Sequence, residues 1–188
     1  MIRIGLTGSI ASGKTTASKI ISRNRGLLFS ADRAVKKLYK KNSFRRLVAK
    51  KLDFPFNSKF KREIKSKILQ KKENLKKLEK IIHPLVRKEM FAFLKKNRNK
   101  RTLFFEIPLL IENKLTKYFD IIIFIRSKRS LRLKRYRLNG GNVKLFTLLD
   151  GHQLKDTKKM KFSDHVIVNN KSLTILKKNL SNIIKLYE

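Results

Sequence analysis

The chain has 188 residues, 41 % of them apolar, enough for one domain with a proper core. It carries 49 Lys and Arg against 13 Asp and Glu, a net charge of +36, and no cysteine, so disulfides and thiolate metal sites are excluded. No apolar run is long enough to cross a bilayer, and Gly5, Thr7, Gly8 and Ser9 interrupt any secretory signal at the start, so the expectation is a cytoplasmic protein with no membrane partner.

In chain order, Ile2, Ile4 and Leu6 read as a strand at about 2–7. Directly after it, Gly8-Ser9-Ile10-Ala11-Ser12-Gly13-Lys14-Thr15 satisfies G-x-x-x-x-G-K-[ST], and the residues from Thr16 can continue as a helix. In such a loop the glycines let backbone N–H groups turn inward around a polyphosphate, and the helix that opens there points its positive end at the anion. Lys14 can reach the β- and γ-phosphates, and the Thr15 hydroxyl can bind Mg²⁺. A second strand, Leu27-Leu28-Phe29, ends at Ser30-Ala31-Asp32. From about 32 to 98 the spacing of residues such as Leu75, Leu78, Ile81 and Ile82 is helical, with breaks expected near Phe54-Pro55-Phe56 and at His83-Pro84. Two apolar runs at 102–106 and 121–125 suit strands of a parallel sheet covered on both faces. A basic helical stretch at about 128–160 is broken by Asn139-Gly140-Gly141. A last strand at 165–168 precedes a helix at about 172–186. Five strands alternating with helices make a doubly wound α/β domain, a five-stranded parallel sheet with helices on both faces.

Ligands of such a sheet bind beyond the carboxyl ends of its strands, which makes the residues there the candidates for chemistry. Asp32 could take the proton of an attacking hydroxyl or help to hold Mg²⁺; it could also be the N-cap of a helix starting at Arg33, and the two roles can coexist. Glu106 could hold the water shell of the magnesium or a substrate hydroxyl. Pro108 would start a short helix, with Leu109 and Leu110 as an apolar wall or simply as core. His83 could hydrogen-bond a substrate and Arg87 could clamp a phosphate, or the stretch could simply mark a structural kink. Arg132, Arg135 and Arg137 could close over a triphosphate or form a solvated face. Asn169 could contact a base or end a turn.

Taken together, Gly-Ser-Ile-Ala-Ser-Gly-Lys-Thr-Thr (8–16), Ser-Ala-Asp (30–32), Ile-His-Pro-Leu-Val-Arg (82–87), Glu-Ile-Pro-Leu-Leu-Ile-Glu (106–112), His-Gln-Leu (152–154) and Ser-Asp-His-Val-Ile-Val-Asn (163–169) occur in an order that resembles the dephospho-coenzyme A kinase family over nearly the whole chain. The resemblance implies transfer of the γ-phosphate of ATP, with Mg²⁺, to the ribose 3′-hydroxyl of dephospho-coenzyme A. It implies a P-loop kinase fold in three parts: a core (about 1–31, 99–127 and 161–188), a helical substrate region (about 32–98) and a lid (about 128–160). It also implies roles: Lys14, Asp32 and Arg135 in catalysis, with Asp32 as the base; Gly8 to Thr16 and Asn169 at the nucleotide; Asp32, Lys36, His83, Pro84, Arg87, Pro108, Leu109 and Leu110 at the acceptor. The chain departs from the pattern at Ser30, where the family has a first acid, at Lys36, which often is an arginine, and near Asn139, where a second lid arginine is expected and Arg137 could substitute. Gln153 matches a late lid glutamine.

Two rivals stand beside this reading: another small-molecule or nucleotide kinase of the same fold, and a P-loop nucleic-acid-binding NTPase. The charge suggests the second. However, it is spread along the chain, and the abundance of Lys, Asn, Ile and Phe points to compositional drift. Asn113-Lys114-Leu115-Thr116 also lacks the final acid of a guanine-reading signature. The expectation is no specific nucleic-acid partner, a small-molecule substrate, and a monomer or small homo-oligomer.

Overall fold

The computed structural model describes residues 1–187. Its strands are β1 (Ile2–Gly8), β2 (Leu27–Ser30), β3 (Thr102–Glu106), β4 (Ile121–Arg126) and β5 (His165–Val168). They form one parallel sheet in the order β2-β3-β1-β4-β5. The order reverses at β1, whose neighbours are β3 and β4, so the loop leaving β1 starts at the topological switch point. The register aligns Leu6 and Ser30 with Glu106, and Gly8 with Ile125. The carboxyl ends of β1, β2 and β3 therefore meet at one edge, and this edge carries the phosphate loop and Glu106.

The chain divides into two compact units: Met1–Ser30 with the chain from Lys96 onward, and Ala31–Lys95. The first unit contains the sheet, α1 (Lys14–Ser22), α6 (Arg129–Leu138), α7 (Val143–His152), α8 (Asp156–Met160) and α9 (Leu173–Ile184). One face of the sheet packs Ile4, Leu6, Phe104, Ile121, Ile123 and Ile125 against Ala17 and Ile21 of α1 and Leu176, Leu180 and Ile184 of α9. On the other face an aromatic chain runs from Phe29 through Phe105 to Phe119, with ring centroids 6.0 and 5.2 Å apart. Gly5 leaves room there: a Cβ would lie 2.7 Å from Leu110 and 3.1 Å from Phe119.

The second unit is helical, with α2 (Ala31–Leu38), α3 (Asn42–Leu52), α4 (Phe60–Gln70) and most of α5 (Lys72–Lys96). Its core gathers Phe44, Val48, Leu52, Phe54, Phe60, Ile64 and Ile68, with Tyr39 stacked on Phe44 and edge-on to Phe60. The Arg45 guanidinium lies 5.1 Å from the Phe56 ring centroid and 5.2 Å from that of Phe60, a cation–π contact that covers the open edge of this core.

Three local expectations are corrected. The break at His83-Pro84 does not occur: α5 runs through Pro84. The proline leaves the Lys80 carbonyl without its helical partner, but the buried stripe Leu75, Leu78, Ile82 and Met90 continues on both sides and keeps the two halves in one helix. Asp32 is no N-cap, because α2 begins one residue earlier and Asp32 lies in its first turn, where a carboxylate is favoured by the helix dipole. Pro108 starts no helix: residues 108–114 form successive turns, closed by Asn113 N–H to Leu109 O and Leu115 N–H to Leu110 O. Packing decides this too, since Leu110 must drop into the sheet beside Gly5.

The β1–β4 pairing is fastened at its start by Arg3 and Asp120. The Arg3 backbone N–H and Nε donate to Asp120 Oδ2 at 2.8 and 3.0 Å, Nη2 reaches Oδ1 at 2.5 Å, and Asp120 N–H donates to Arg3 O at 2.9 Å. The hydrogen bond from Arg3 holds the Asp120 carboxyl below the usual carboxylate range. Its contribution is complete above that ordinary range, near ~4, and disappears as pH falls through the lower folded value. In Asp120→Asn, urea unfolding across a pH series should show a flatter acid limb and a loss of less than about 1 kcal/mol at pH 7, because both side chains are about a third exposed. Gly5→Ala overpacks the opposite face and should cost about 1–3 kcal/mol in the same assay.

Candidate active site

The phosphate loop begins where β1 runs out. Gly8 has φ 155°, and a Cβ there would press on the Ile125 carbonyl and lie 2.8 Å from Ser12 Oγ. Gly13, at φ 95°, is the left-handed N-cap of α1, and a Cβ would collide with the Asn169 amide. Between them Ala11 also has a positive φ, 57°, a conformation that costs a non-glycine residue about 1–2 kcal/mol and persists only where the surroundings over-determine it.

Those surroundings come from distant parts of the first unit. Ser12 N–H donates to Ser9 O at 3.1 Å, and Lys14 Nζ reaches the same carbonyl at 3.0 Å. The Asn169 amide donates to Ser12 O at 2.9 Å, and Arg135 Nη1 approaches that oxygen at 3.4 Å. Arg132 Nη1 lies 3.4 Å from Ile10 O. Gln153 Oε1 accepts from Ile10 N–H at 2.9 Å, and Asp156 Oδ1 accepts from the Ser9 hydroxyl at 2.5 Å. The residues flanking Ala11 are thus held from both sides.

At the first turn of α1 the Thr15 hydroxyl donates to Glu106 Oε1. Glu106 is 1 % exposed, while Thr15 is exposed. A hydroxyl and a carboxylate side by side, next to a triphosphate loop, are hard oxygen donors of the kind that suits Mg²⁺, which takes one or two protein ligands and completes its shell with phosphate and water. Among the described residues no group of three or more His, Cys, Asp or Glu could hold a metal by itself. The residues present therefore fit a magnesium carried in with the nucleotide.

The basic segment supplies two arginines to the loop. Arg135 is anchored by Nη2 to Asn169 O at 3.0 Å and by Nη1 to Ser127 Oγ at 3.1 Å. Arg132 is buried, with Nε on Ser127 O at 3.2 Å and Nη1 on Asp150 at 2.5 Å. Both Arg132 and Arg129 sit over the Phe146 ring. Arg137, considered as a substitute for a missing lid arginine, is exposed; Arg132 is the second arginine at the loop.

The remaining candidates separate by unit. Pro108 and Leu109 are half-buried at the carboxyl end of β3, and Leu110 is entirely buried beneath Gly5, so its contribution is packing. The Thr7 hydroxyl donates to Pro108 O at 3.0 Å, which ties this turn to β1. Asp32, Lys36, His83, Pro84 and Arg87 belong to the second unit. Asp32 and Lys36 are one turn apart on exposed positions of α2, and His83 and Arg87 one turn apart on α5, so each pair shares a helix face.

Sequence reasoning passed over Asp150, Asp156 and Lys159 and assigned Glu112 no role. A signal was available in scarcity. In a chain with 13 acids, every acid described in the first unit is engaged: Glu106 by Thr15, Glu112 by Lys159, Asp120 by Arg3, Asp150 by Arg129 and Arg132, Asp156 by Ser9, and Asp164 by the Ile122 N–H.

With a braced phosphate loop on the switch-point strand, residues 2–174 match the family model described as dephospho-CoA kinase. The chain belongs to the dephospho-CoA kinase family. It is 34 % identical to the dephospho-CoA kinase of Bartonella henselae, over 97 % of this chain and 96 % of the relative. It is 35 % identical to that of Zymomonas mobilis, over 94 % and 91 %. A crystal structure from Thermus thermophilus shares the fold with a TM-score of 0.77 at 23 % identity, covering 100 % of this chain and 98 % of that one. Dephospho-CoA kinase from Campylobacter jejuni does so with a TM-score of 0.66, also at 23 % identity, over 97 % and 95 %. As a member of the dephospho-CoA kinase family, the chain is an ATP-dependent kinase that transfers the γ-phosphate of ATP to the 3′-hydroxyl of dephospho-CoA, giving CoA and ADP.

Gly13→Ala should abolish high-affinity ATP binding, measured by calorimetry, while circular dichroism keeps its native helix content; unchanged affinity would show that neither the left-handed cap nor the Asn169 contact shapes the loop.

Proposed function

We propose the following division of labour for this reaction. The loop from Gly8 to Thr16, with Lys14, holds the triphosphate of ATP. Arg135, drawn onto the loop by Ser12 O and Asn169 O, adds a second cation. The observation that carries this reading is the convergence of the Lys14 and Arg135 side chains on the carbonyls of one short loop: two cations fixed before substrate arrives cost no reorganisation when negative charge shifts during transfer. Asn169 maintains the loop, and through it the nucleotide site. Thr15, backed by Glu106, would hold Mg²⁺, which when bound neutralises the β- and γ-phosphate oxygens.

Asp32 is the general base. The 3′-oxygen of dephospho-CoA attacks the γ-phosphorus, the bond from that phosphorus to the β–γ bridging oxygen breaks, ADP leaves, and the hydroxyl proton passes to the Asp32 carboxylate. Its support is the match of Asp32 to the second acid of the family motif, although Ser30 replaces the first, and its position two residues beyond the carboxyl end of β2. Lys36, one turn along the same helix, and Arg87 with His83 and Pro84 serve the anionic acceptor, as do Pro108 and Leu109, with Leu110 as their foundation. Lys36 offers a point charge where a guanidinium would offer a fork. Residues 128–160 act as the lid that excludes water from the transferring phosphate. The substrates are small and water-soluble, which favours work in the cytoplasm without a membrane or a specific nucleic acid as partner; no helix among the described residues is long and apolar enough to cross a membrane.

Asp32→Asn should lower kcat by about 10²- to 10⁴-fold with little change in ATP affinity, in an assay of ATP-dependent conversion of dephospho-CoA to CoA with Lys14→Ala as the nucleotide-site control. Near-normal turnover in Asp32→Asn removes the base assignment.

A further inference from the structure

Glu112 and Lys159 take no part in the chemistry above, yet they form the most deeply buried charge pair described. Lys159 is 0 % exposed and its ammonium lies 2.6 Å from Glu112 Oε1, the Glu112 side chain being 15 % exposed. Neither the ammonium nor Glu112 Oε2 makes an aligned hydrogen bond among the described residues. A buried pair repays the desolvation of its charges only when its geometry is excellent and its remaining hydrogen-bonding capacity is met; otherwise an apolar pair of similar volume serves the fold as well or better. Stability alone therefore does not account for this one.

Its position suggests what does. Glu112 belongs to the turns after β3 that contain Pro108 and Leu109. Lys159 is on α8, whose first residue, Asp156, accepts the Ser9 hydroxyl of the phosphate loop, while Gln153, just before α8, accepts the Ile10 N–H. Glu112 Oε1 also accepts the Leu154 N–H at 3.2 Å, one residue past Gln153. The backbone of Lys159 is fixed in turn, its carbonyl accepting from Ser163 Oγ at 2.9 Å and from Phe162 N–H at 3.1 Å. Residues 153–159 thus touch the phosphate loop with Gln153 and Asp156, and the post-β3 turn with Leu154 and Lys159. Sliding α8 by one residue would break both sets of contacts, and an apolar pair, being non-directional, would not resist such a slide.

We propose that the Glu112–Lys159 pair is a positioning device: it fixes the register of residues 153–159, so that this segment holds the ATP loop and the post-β3 turn in one fixed relation. Glu112 and Lys159 touch no substrate and act through Ser9, Ile10 and the turn. The effect on the acceptor rests on the reading of Pro108 and Leu109 as acceptor-side residues; the effect on ATP does not.

The test separates register from stability. The double variant Glu112→Leu/Lys159→Met replaces the pair by apolar side chains of similar size. It should unfold at or above the wild-type temperature, yet lose about 10- to 100-fold in kcat, the order expected for misaligned reacting groups. Asp156→Asn, which weakens the brace on Ser9 without leaving a buried charge alone, should lower kcat in the same direction. Adding it to the double variant should cost little more, because both changes release the same segment. Lys159→Arg, which keeps the charge, should retain most activity. Three results overturn the proposal: a double variant with wild-type kcat and KM values, in which case the pair only fills space; a double variant that does not fold, in which case the pair serves the fold itself; and strict additivity with Asp156→Asn, in which case the two ends of the segment are independent. A double variant with raised KM for ATP and unchanged KM for dephospho-CoA supports the brace and goes against the acceptor-side reading of the turn.

Discussion

The phosphate loop holds its shape only in part with its own side chains, chiefly Lys14 on the Ser9 carbonyl. A backbone that must point its N–H groups at an anion cannot spend them on a neighbouring strand, and its glycines offer nothing to pack. Much of its conformation is therefore imposed from outside. Its carbonyls at Ser9, Ile10 and Ser12 are each occupied by a cationic or amide side chain, from Lys14, Arg132, Arg135 and Asn169. Two of these groups, Lys14 and Arg135, are also the cations proposed to meet the nucleotide. Asn169 just after β5, Arg132 and Arg135 of α6 and Gln153 before α8 thus complete a loop drawn from the first fifteen residues.

The sheet makes this possible. Its parallel register brings the end of β3 beside the end of β1, so that Glu106 stands next to Thr15 although the two are 91 residues apart. The reversal of strand order at β1 leaves the loop with β4 on its other side, and the β4 exit carries Ser127, on which both Arg132 and Arg135 are hung. The basic segment is thus tied to the donor loop at its root.

How much of this was legible in the sequence depended on the range of the forces involved. The five strands were readable because near-continuous apolar runs such as Ile121 to Ile125 carry their own signal. The phosphate loop was readable because its chemistry is packed into eight consecutive residues. Local rules failed where packing outweighed them: Pro84 reads as a break, but an apolar stripe spanning it keeps α5 whole, and Pro108 reads as a helix start, but Leu110 is drawn under Gly5 instead. Within the site, Lys14, Thr15, Arg135 and Asn169 were legible and the structure brings them together. Asp156, Asp150 and the Glu112–Lys159 pair were not: scarcity marks these acids as a group, but the role of each shows only with its partner, from 18 to 147 residues away.

The acids of the first unit have a consequence for how such a chain can change over time. With 49 Lys and Arg against 13 Asp and Glu, the chain has few carboxylates to place. Those of the first unit, from Glu106 to Asp164, each close a specific contact. At each of these six positions, then, exchanging the acid for one more lysine removes a contact as well as a charge, and in the first unit the negative charges trace the joints of the structure.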